Sequence, residues 1–516
     1  MPVIAPPPLI PQQATVELIR QQPSTVRVAF RDAEETVQIE LHGAALLDAA
    51  QASAALKRAK TLSDALYELA QACADGGYPA TQLTYARSGD VVYVQLTPGG
   101  VSSVSGPPRL AAFFRGIERE QPLTDATLER RQLLASLYAD RSDLTVQPKL
   151  IAGDAGTVFD LKPDRQSRST PIASVDFGNP GNRFVGRYFS NAELRYAFDS
   201  GDEFKASWNH GFTDLGETRG ADGYEEQNLV WSRVTPYGVF GLGGRNVDYG
   251  QNLENPAPLR NNLLHYDSDI QRLQASALLP LMARRDWRWL LDASADYSHR
   301  RYRETTTDSL MQNQEYGSLQ LASFYVADAT LLLQPLDISV GASLRKGLGD
   351  DRSGDQQVAA DLGYLSLRPE LRLNWNLGMQ WRLRFDALGQ YSRDILPVEE
   401  QWVLGGADGV QAFLPGVAVG DSGAIAKLAL ERNSGQLGAL RLRIGVFSEY
   451  GYAKFSDAGA AVDAQSVADI GIALRASLRH VEASVSAAEP VHDSGIPQSV
   501  VDDARSRLLF RLKAMF

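Results

Sequence analysis

From about residue 170 onward the chain alternates apolar and polar residues in segment after segment, and no other feature of it restricts the fold as much. In FKASWNHGF the apolar set is Phe204, Ala206 and Trp208; in WRLRFDALGQYS it is Trp381, Leu383, Phe385, Ala387 and Tyr391; in LRLRIGVF it is Leu440, Leu442, Ile444 and Val446. Successive side chains of a strand point to opposite faces, so each segment reads as a strand with one apolar and one polar face. Arg382, Arg384, Asp386, Arg441 and Arg443 fall on the second face and make it strongly charged.

The connections between these segments narrow the choice. Short ones near 199–202, 235–238, 281–285, 334–337, 377–379, 435–438 and 479 take turns with long ones near 214–227, 250–264, 301–315, 347–361, 394–421, 454–465 and 491–503. The first, 178–182, is short but falls in the phase of the long ones. A large soluble sandwich would explain the alternation but not this phase. Short turns on one rim and long loops on the other belong to a transmembrane barrel. The expected fold over 167–516 is therefore all-β, a 16-stranded antiparallel transmembrane β-barrel with strands of roughly 10 to 16 residues. No run of 18 apolar residues exists and the mean hydropathy is −0.23, which excludes a helical span but not a barrel, whose strands need only every second residue to be apolar.

Before residue 170 the pattern mixes helix and strand. TVQIELHG alternates, with Val37, Ile39 and Leu41 on one face, and the following run carries Leu62, Ala65, Leu66, Leu69 and Cys73 at helical spacing until Gly76 and Gly77 stop it. VVYVQLTPG returns as a strand, and a second unit holds a long helix with Thr124 as its N-cap. Two α+β modules are expected, 23–100 and 101–166, behind a Pro-rich lead-in over 1–22. The opening MPVIAPPPLIPQQAT has neither the basic start nor the apolar core of a signal peptide, which fits either a cytosolic protein or a mature chain whose signal has been removed.

The formal charge of −11 is spread along the chain, and a nucleic-acid partner would need a basic face. The single cysteine and six histidines without ligand-like spacing predict no metal site and no cofactor. Gly420-Asp421-Ser422-Gly423 has the letters of a serine-protease nucleophile loop, but no histidine sits in a triad motif, and the expectation is a loop-to-strand junction and no enzyme. Glu399-Glu400 could suggest paired catalytic acids; neighbours on an extended chain point apart, so both are expected in a solvated loop.

Two α+β modules followed by sixteen strands resemble the two-partner secretion transporters, the TpsB proteins of ShlB/FhaC/HecB type in the BamA-like superfamily. The modules resemble polypeptide-transport-associated (POTRA) domains, with Gly76 to Gln82 (GGYPATQ) similar to the helix-end motif of that fold, and FGNPGNRFVGRY, Phe177 to Tyr188, resembles the opening barrel hairpin. The family's sixth extracellular loop folds back into the barrel with Val-Arg-Gly-Phe/Tyr at its tip. Here the sixth loop is 394–421 and the matching plug-loop tip is Val410-Gln411-Ala412-Phe413. The arginine is replaced by Gln411. Its family partner is an acid in a Phe-x-Asp-x-Gly motif on the inner wall, matched by Phe447, Glu449 and Gly451, which the alternation places on the polar face. Gln411 can hydrogen-bond Glu449 but brings no charge, so either it is a tolerated variant held by other contacts or the plug is loose and transport altered.

The resemblance implies an outer-membrane protein of a Gram-negative bacterium with its modules in the periplasm. It would export one dedicated, unfolded exoprotein of adhesin, haemolysin or toxin type, captured by strand addition to the modules. Outer-membrane lipid, periplasmic chaperones and the barrel-assembly machinery are the other implied partners, with Phe516 as the C-terminal insertion signal. A barrel-assembly factor of the same superfamily and a passive channel are the alternatives. For Arg382, Arg384, Arg441 and Arg443 two readings stand: they solvate the interior and pair with acids such as Asp386 and Glu449, or they set ion selectivity and hold the passing polypeptide.

Overall fold

The computed structural model describes residues 12–31, 35–153, 156–165, 171–182, 185–213, 215, 223–254, 263–305, 308–349, 360–456 and 464–516. Residues 1–11 of the lead-in, and Arg183 and Phe184 of the opening hairpin motif, lie outside the described residues.

The first α+β unit is a five-stranded sheet in the order 12–13, 82–88, 91–97, 36–43, 24–31, with helices Ala49–Leu56 and Leu62–Asp75 packed on it. Each helix starts with a capping box, Asp48 with Gln51 and Thr61 with Asp64, so its first orphan N–H groups are satisfied locally. Val37, Ile39 and Leu41 meet Leu66, Leu69 and Cys73 in one apolar core. The longer helix ends at Gly76, and Gly77 follows with φ +97°, a backbone that L side chains rarely adopt.

The second unit is smaller. Strand Ser103–Ser105 pairs with Gly156–Arg165, which pairs with Leu144–Gly153, and helix Asp125–Arg141 lies against them. Thr124 occupies the N-cap position, yet its hydroxyl donates to the Thr127 hydroxyl (3.3 Å) rather than capping a backbone N–H. The unit's core around Phe113, Phe114 and Phe159 also includes Val234, a residue of the barrel. Tyr138 Oη donates to Asp199 O (2.8 Å), and Arg141 Nη1 donates to Gly201 O and Ser232 O (3.1 Å each). The second unit is thus docked on the rim of short turns.

Sixteen antiparallel strands close a barrel. They are β1 (Ile172–Gly178), β2 (Tyr188–Ala197), β3 (Asp202–Phe212), β4 (Tyr224–Val234), β5 (Val239–Glu254), β6 (Leu263–Ala283), β7 (Trp287–Glu304) and β8 (Ser309–Leu331). The second half is β9 (Gln334–Gly347), β10 (Leu365–Leu377), β11 (Trp381–Ser392), β12 (Ser422–Leu437), β13 (Leu440–Lys454), β14 (Gln465–Leu478), β15 (Val481–Ser494) and β16 (Leu508–Met515). The lengths depart from the sequence expectation at both ends of the range: β1 has 7 residues and β16 has 8, whereas β6 and β8 run to 21 and 23. The long strands continue pairing past the apolar band, and alternation alone does not show where a strand leaves the membrane. Leu242, Leu273, Leu321, Ile444, Val446, Ile470 and Ile472 stand on the outer surface at 50–65% exposure, an apolar belt that a bilayer covers.

The seam that closes the barrel is its shortest ladder. β16 and β1 share five registered pairs, from Arg511 with Gly178 to Met515 with Ser174, against seventeen between β6 and β7. Asn179 extends it with side-chain bonds to Leu508 O (2.8 Å) and from Phe510 N (2.7 Å). Phe516 follows β16, is 72% exposed, and its N–H donates to Ala173 O (2.8 Å) across the seam.

Candidate functional site

Between β11 and β12 the chain runs inward instead of outward. The segment holds a short 3₁₀ turn at Val398–Glu400 and a two-stranded ribbon, Trp402–Leu404 with Ala418–Gly420. The ribbon's bend is tight: Gly405 has φ +98°, and a Cβ there would sit 2.1 Å from Leu414 O. Gly406 N–H donates to Phe413 O (2.7 Å) across it. Val410, Ala412 and Phe413 at the tip are 0–1% exposed, although they belong to a loop of a barrel with a polar interior. They are buried because they share an apolar cluster with Leu404, Ile425, Phe447, Val467 and Val501. The last of these belongs to helix Gln498–Ala504 in the final long loop, which closes over the tip: Leu414 N–H donates to Ala504 O (2.6 Å) and Ser506 N–H to Ala412 O (2.8 Å).

The structure brings the tip to the wall motif. Gln411 N–H donates to Glu449 Oε2 (2.8 Å) and Gln411 Nε2 to Glu449 Oε1 (3.0 Å). Ser486 Oγ donates to Gln411 Oε1 (2.7 Å), which fixes the amide so that its NH₂ faces the carboxylate. Phe447 packs in the tip cluster with its ring against Gly471, where a Cβ would come within 2.3 Å of it. Two side chains that sequence reading missed complete the seat. Lys427 Nζ on β12 lies 3.3 Å from Glu449 Oε1, and Asp469 Oδ2 on β14 accepts from Ala412 N–H (2.7 Å). Both stand directly across from Glu449 in the ladder, Lys427 on one side and Asp469 on the other. Finding them requires the register between strands, which a period of two leaves open.

The root of the loop is held on the opposite wall, contrary to the expected solvated Glu399-Glu400. Glu400 is 2% exposed and faces three arginines: Arg272 Nη2 (2.7 Å), Arg345 Nε (3.0 Å) and Arg368 Nη2 (3.1 Å). Arg345 Nη2 also donates to both carboxylate oxygens of Asp296 (2.8 and 2.9 Å), and Ser298 Oγ donates to Glu399 Oε2 (3.2 Å). The segment is a 3₁₀ turn enclosed by the barrel and not an extended loop in water, so Glu400 is not solvated. Asp421 ties the loop's end, accepting from Leu396 N–H and Ser456 N–H (2.8 Å each), while Ser422 Oγ donates to Ser392 O (3.0 Å). The Gly-Asp-Ser-Gly stretch is the junction of this loop with β12.

From the tip toward the short-turn rim the lumen holds a cavity of about 570 Å³, lined by Gln411, Lys427 and Glu449 and by Arg384 and Arg443. Arg384 Nε pairs with Asp386 Oδ2 (2.7 Å) and Arg443 Nη1 with Glu431 Oε2 (3.3 Å). Arg382 reaches Asn376 Oδ1 (3.2 Å), and Arg441 lies on the same strand face nearer the turn. The cation that meets Glu449 is Lys427, not one of these four arginines.

The sequence signature of the haemolysin secretion/activation proteins ShlB/FhaC/HecB matches residues 157–475, more than half of the chain. Among curated protein sequences no relative matches. Among solved structures, CdiB from Escherichia coli superposes with a TM-score of 0.72 at 16% identity, covering 99% of this chain and 94% of that one. CdiB from Acinetobacter baumannii gives 0.65 at 12%, covering 100% and 95%. BamA from Haemophilus ducreyi lacking POTRA domains 1–3 gives 0.50 at 14%, covering 95% and 100%. These likenesses speak to the fold, and the signature speaks to the family. The chain belongs to the ShlB/FhaC/HecB haemolysin secretion/activation family and is an outer-membrane transporter of two-partner secretion.

Proposed function

We propose that the sixth loop is a displaceable plug and that the exported exoprotein crosses the outer membrane, unfolded, through the lumen when the tip leaves its seat. The single observation that carries this is the loop's two-sided attachment. Its tip at 410–413 sits on β12 to β15 and its root at Glu400 on β6 to β10, so it spans the lumen. In this reading Val410, Gln411, Ala412 and Phe413 form the plug, and Phe447, Glu449 and Gly451 form its latch on the wall. The two α+β units act as POTRA domains in the periplasm, and an extended segment of the exoprotein adds to an open sheet edge there, such as Ser24–Arg31. Arg384 and Arg443 give the passing chain a wet, charged wall. Folding of the exported chain outside supplies the driving force. Phe516, exposed beside the seam, serves as the insertion signal read by the barrel-assembly machinery after periplasmic chaperones deliver the chain.

A tethered loop tests the proposal. A Val410→Cys, Gly451→Cys pair in a Cys73→Ser background places a disulfide between plug and wall; the smaller residue at 410 relieves one of the two close contacts of a Cβ at 451, and Gly451→Cys alone is the control for the other, with Leu404 Cδ2. Co-expressed with its partner exoprotein, this variant should export nothing when oxidised and regain export on reduction. Equal export in both states would sink the plug.

A further inference from the structure

The tip and the root of the sixth loop are held by different chemistry. At the root, charge meets charge across the loop–wall boundary, Glu400 of the loop against Arg272, Arg345 and Arg368 of the wall. At the tip every side-chain and backbone donor the loop offers to the two carboxylates is uncharged: Gln411 N–H, Gln411 Nε2 and Ala412 N–H. Yet Glu449 and Asp469 lie side by side in the ladder, each nearly fully buried. Two carboxylates directly opposite one another repel, and a buried one is costly without a counter-charge.

The counter-charge is on the wall. Reading across the inner face, the register places Asp386, Lys427, Glu449 and Asp469 in one row on β11 to β14. Lys427 is the cation of that row next to the pair, its side chain only 13% exposed, with Nζ 3.3 Å from Glu449 Oε1 and donating to Ala407 O at 3.1 Å. Asp469 Oδ1, by contrast, is buried without a partner among the described residues.

We infer that Lys427 carries, on the fixed wall, the positive charge that neutralises the plug's seat, so that the tip leaves by parting the hydrogen bonds of its own uncharged donors and the one Lys427 Nζ makes to Ala407 O, while the Lys427–Glu449 ion pair stays behind. The inference rests on the reading of the loop as a displaceable plug. An arginine at 411 would place that ion pair across the moving boundary, and opening would then separate opposite charges in a confined space. With the charge on Lys427, opening exposes a seat that is already partly compensated. The root, clamped by charge, remains in place, and the loop swings about it.

The consequence is a coupling between positions 411 and 427. Adding a cation to the tip tightens the plug strongly only when the wall cation is gone, because otherwise the two cations compete for the same carboxylates. The test is a four-cornered comparison of wild type, Gln411→Arg, Lys427→Met and the double variant, each the purified full chain in planar lipid bilayers. The readout is the fraction of time in the high-conductance state, and retention of the folded barrel is checked by heat-modifiable gel mobility. Gln411→Arg should lower opening about tenfold more in the Lys427→Met background than in wild type. Lys427→Arg should open as wild type does. Lys427→Gln replaces the methionine corner if that variant does not fold. The same effect of Gln411→Arg in both backgrounds would make Lys427 a bystander and overturn the assignment. Export of the exoprotein, measured in parallel, separates the two layers: coupling in conductance with export unchanged in all four sinks the displacement reading and leaves the charge assignment standing.

Discussion

Val410 at the plug tip rests directly on Gly451 of the wall. A Cβ at 451 would stand 2.9 Å from Leu404 Cδ2 and 3.0 Å from Val410 Cγ2, so both side chains would have to shift to admit it. The glycine is therefore a socket, and filling it should unseat the tip without touching the outer surface. For Gly451→Leu the expected cost is about 1–3 kcal/mol of seating, a roughly 5- to 150-fold loss of tip occupancy. Bilayer recordings should show longer openings, and the heat-modifiable mobility of the barrel should be unchanged. Closed-state dwell times equal to wild type would mean that the tip does not depend on this contact.

Glu400 makes the complementary case. Neutralising it by Glu400→Gln takes the shared acid from Arg272, Arg345 and Arg368, leaving Asp296 near Arg345 and Asp296 and Glu399 near Arg272. Removing one partner of a buried ion cluster costs about 3–5 kcal/mol. Arg368→Gln should cost much less, because its side chain is 33% exposed and water takes over. Hydrogen exchange at Trp402–Leu404 would report this, with fast exchange in Glu400→Gln and near-native exchange in Arg368→Gln. Equal protection in both variants would remove the root clamp from the argument.

These two sites differ in how far the amino-acid sequence foretells them. The barrel is readable because each strand repeats its own evidence every second residue, and the phase of short and long connections survives errors of a few positions in any one of them. The sixth loop, expected at 394–421, lies between Ser392 and Ser422, since it is the longest connection and its flanking strands alternate clearly. The pairing of Gln411 with Glu449 is legible through the family resemblance and not through periodicity. The burial of Glu400 is not legible in the sequence, because its three arginines come from β6, β9 and β10 and only the closed barrel brings them together. Lys427 and Asp469 are separated from Glu449 by twenty-odd positions, and their meeting is a fact of register.

Cys73 provides a built-in reporter for the first α+β unit. Its thiol is fully buried, and burial pushes it up to about 12, with a hydrogen bond to Thr81 acting weakly the other way. At pH 7.5 only roughly one thiol in 10⁴–10⁵ is then ionised, and the thiolate is the reactive form. The folded chain should resist a maleimide at this pH and react at the usual rate for an exposed cysteine once urea opens the unit. Rapid labelling of the folded protein would show that helix Leu62–Asp75 opens on its own.

The second α+β unit meets the barrel at several points, and one of them centres on a single ring. Tyr138 lies 5.2 Å from Phe113 between ring centroids, donates through Oη to Asp199 O, and faces Gly201, where a Cβ would fall 2.6 Å from Tyr138 Cδ2. Gly201 also has φ +79°, so a side chain there is strained twice over. Tyr138→Phe keeps the ring and loses one hydrogen bond, about 0.5–1.5 kcal/mol. Tyr138→Ala empties the contact at a cost of about 3–5 kcal/mol, and Gly201→Val pushes on it from the rim. If this contact sets the angle between the unit and the barrel, spin labels placed on helix Asp125–Arg141 and on the rim should give one narrow distance distribution in wild type and Tyr138→Phe, and a broad one in the other two variants. Narrow distributions in all four would mean that the other contacts, among them the bonds of Arg141 to Gly201 O, Ser232 O and Ser232 Oγ, hold the unit in place without this ring.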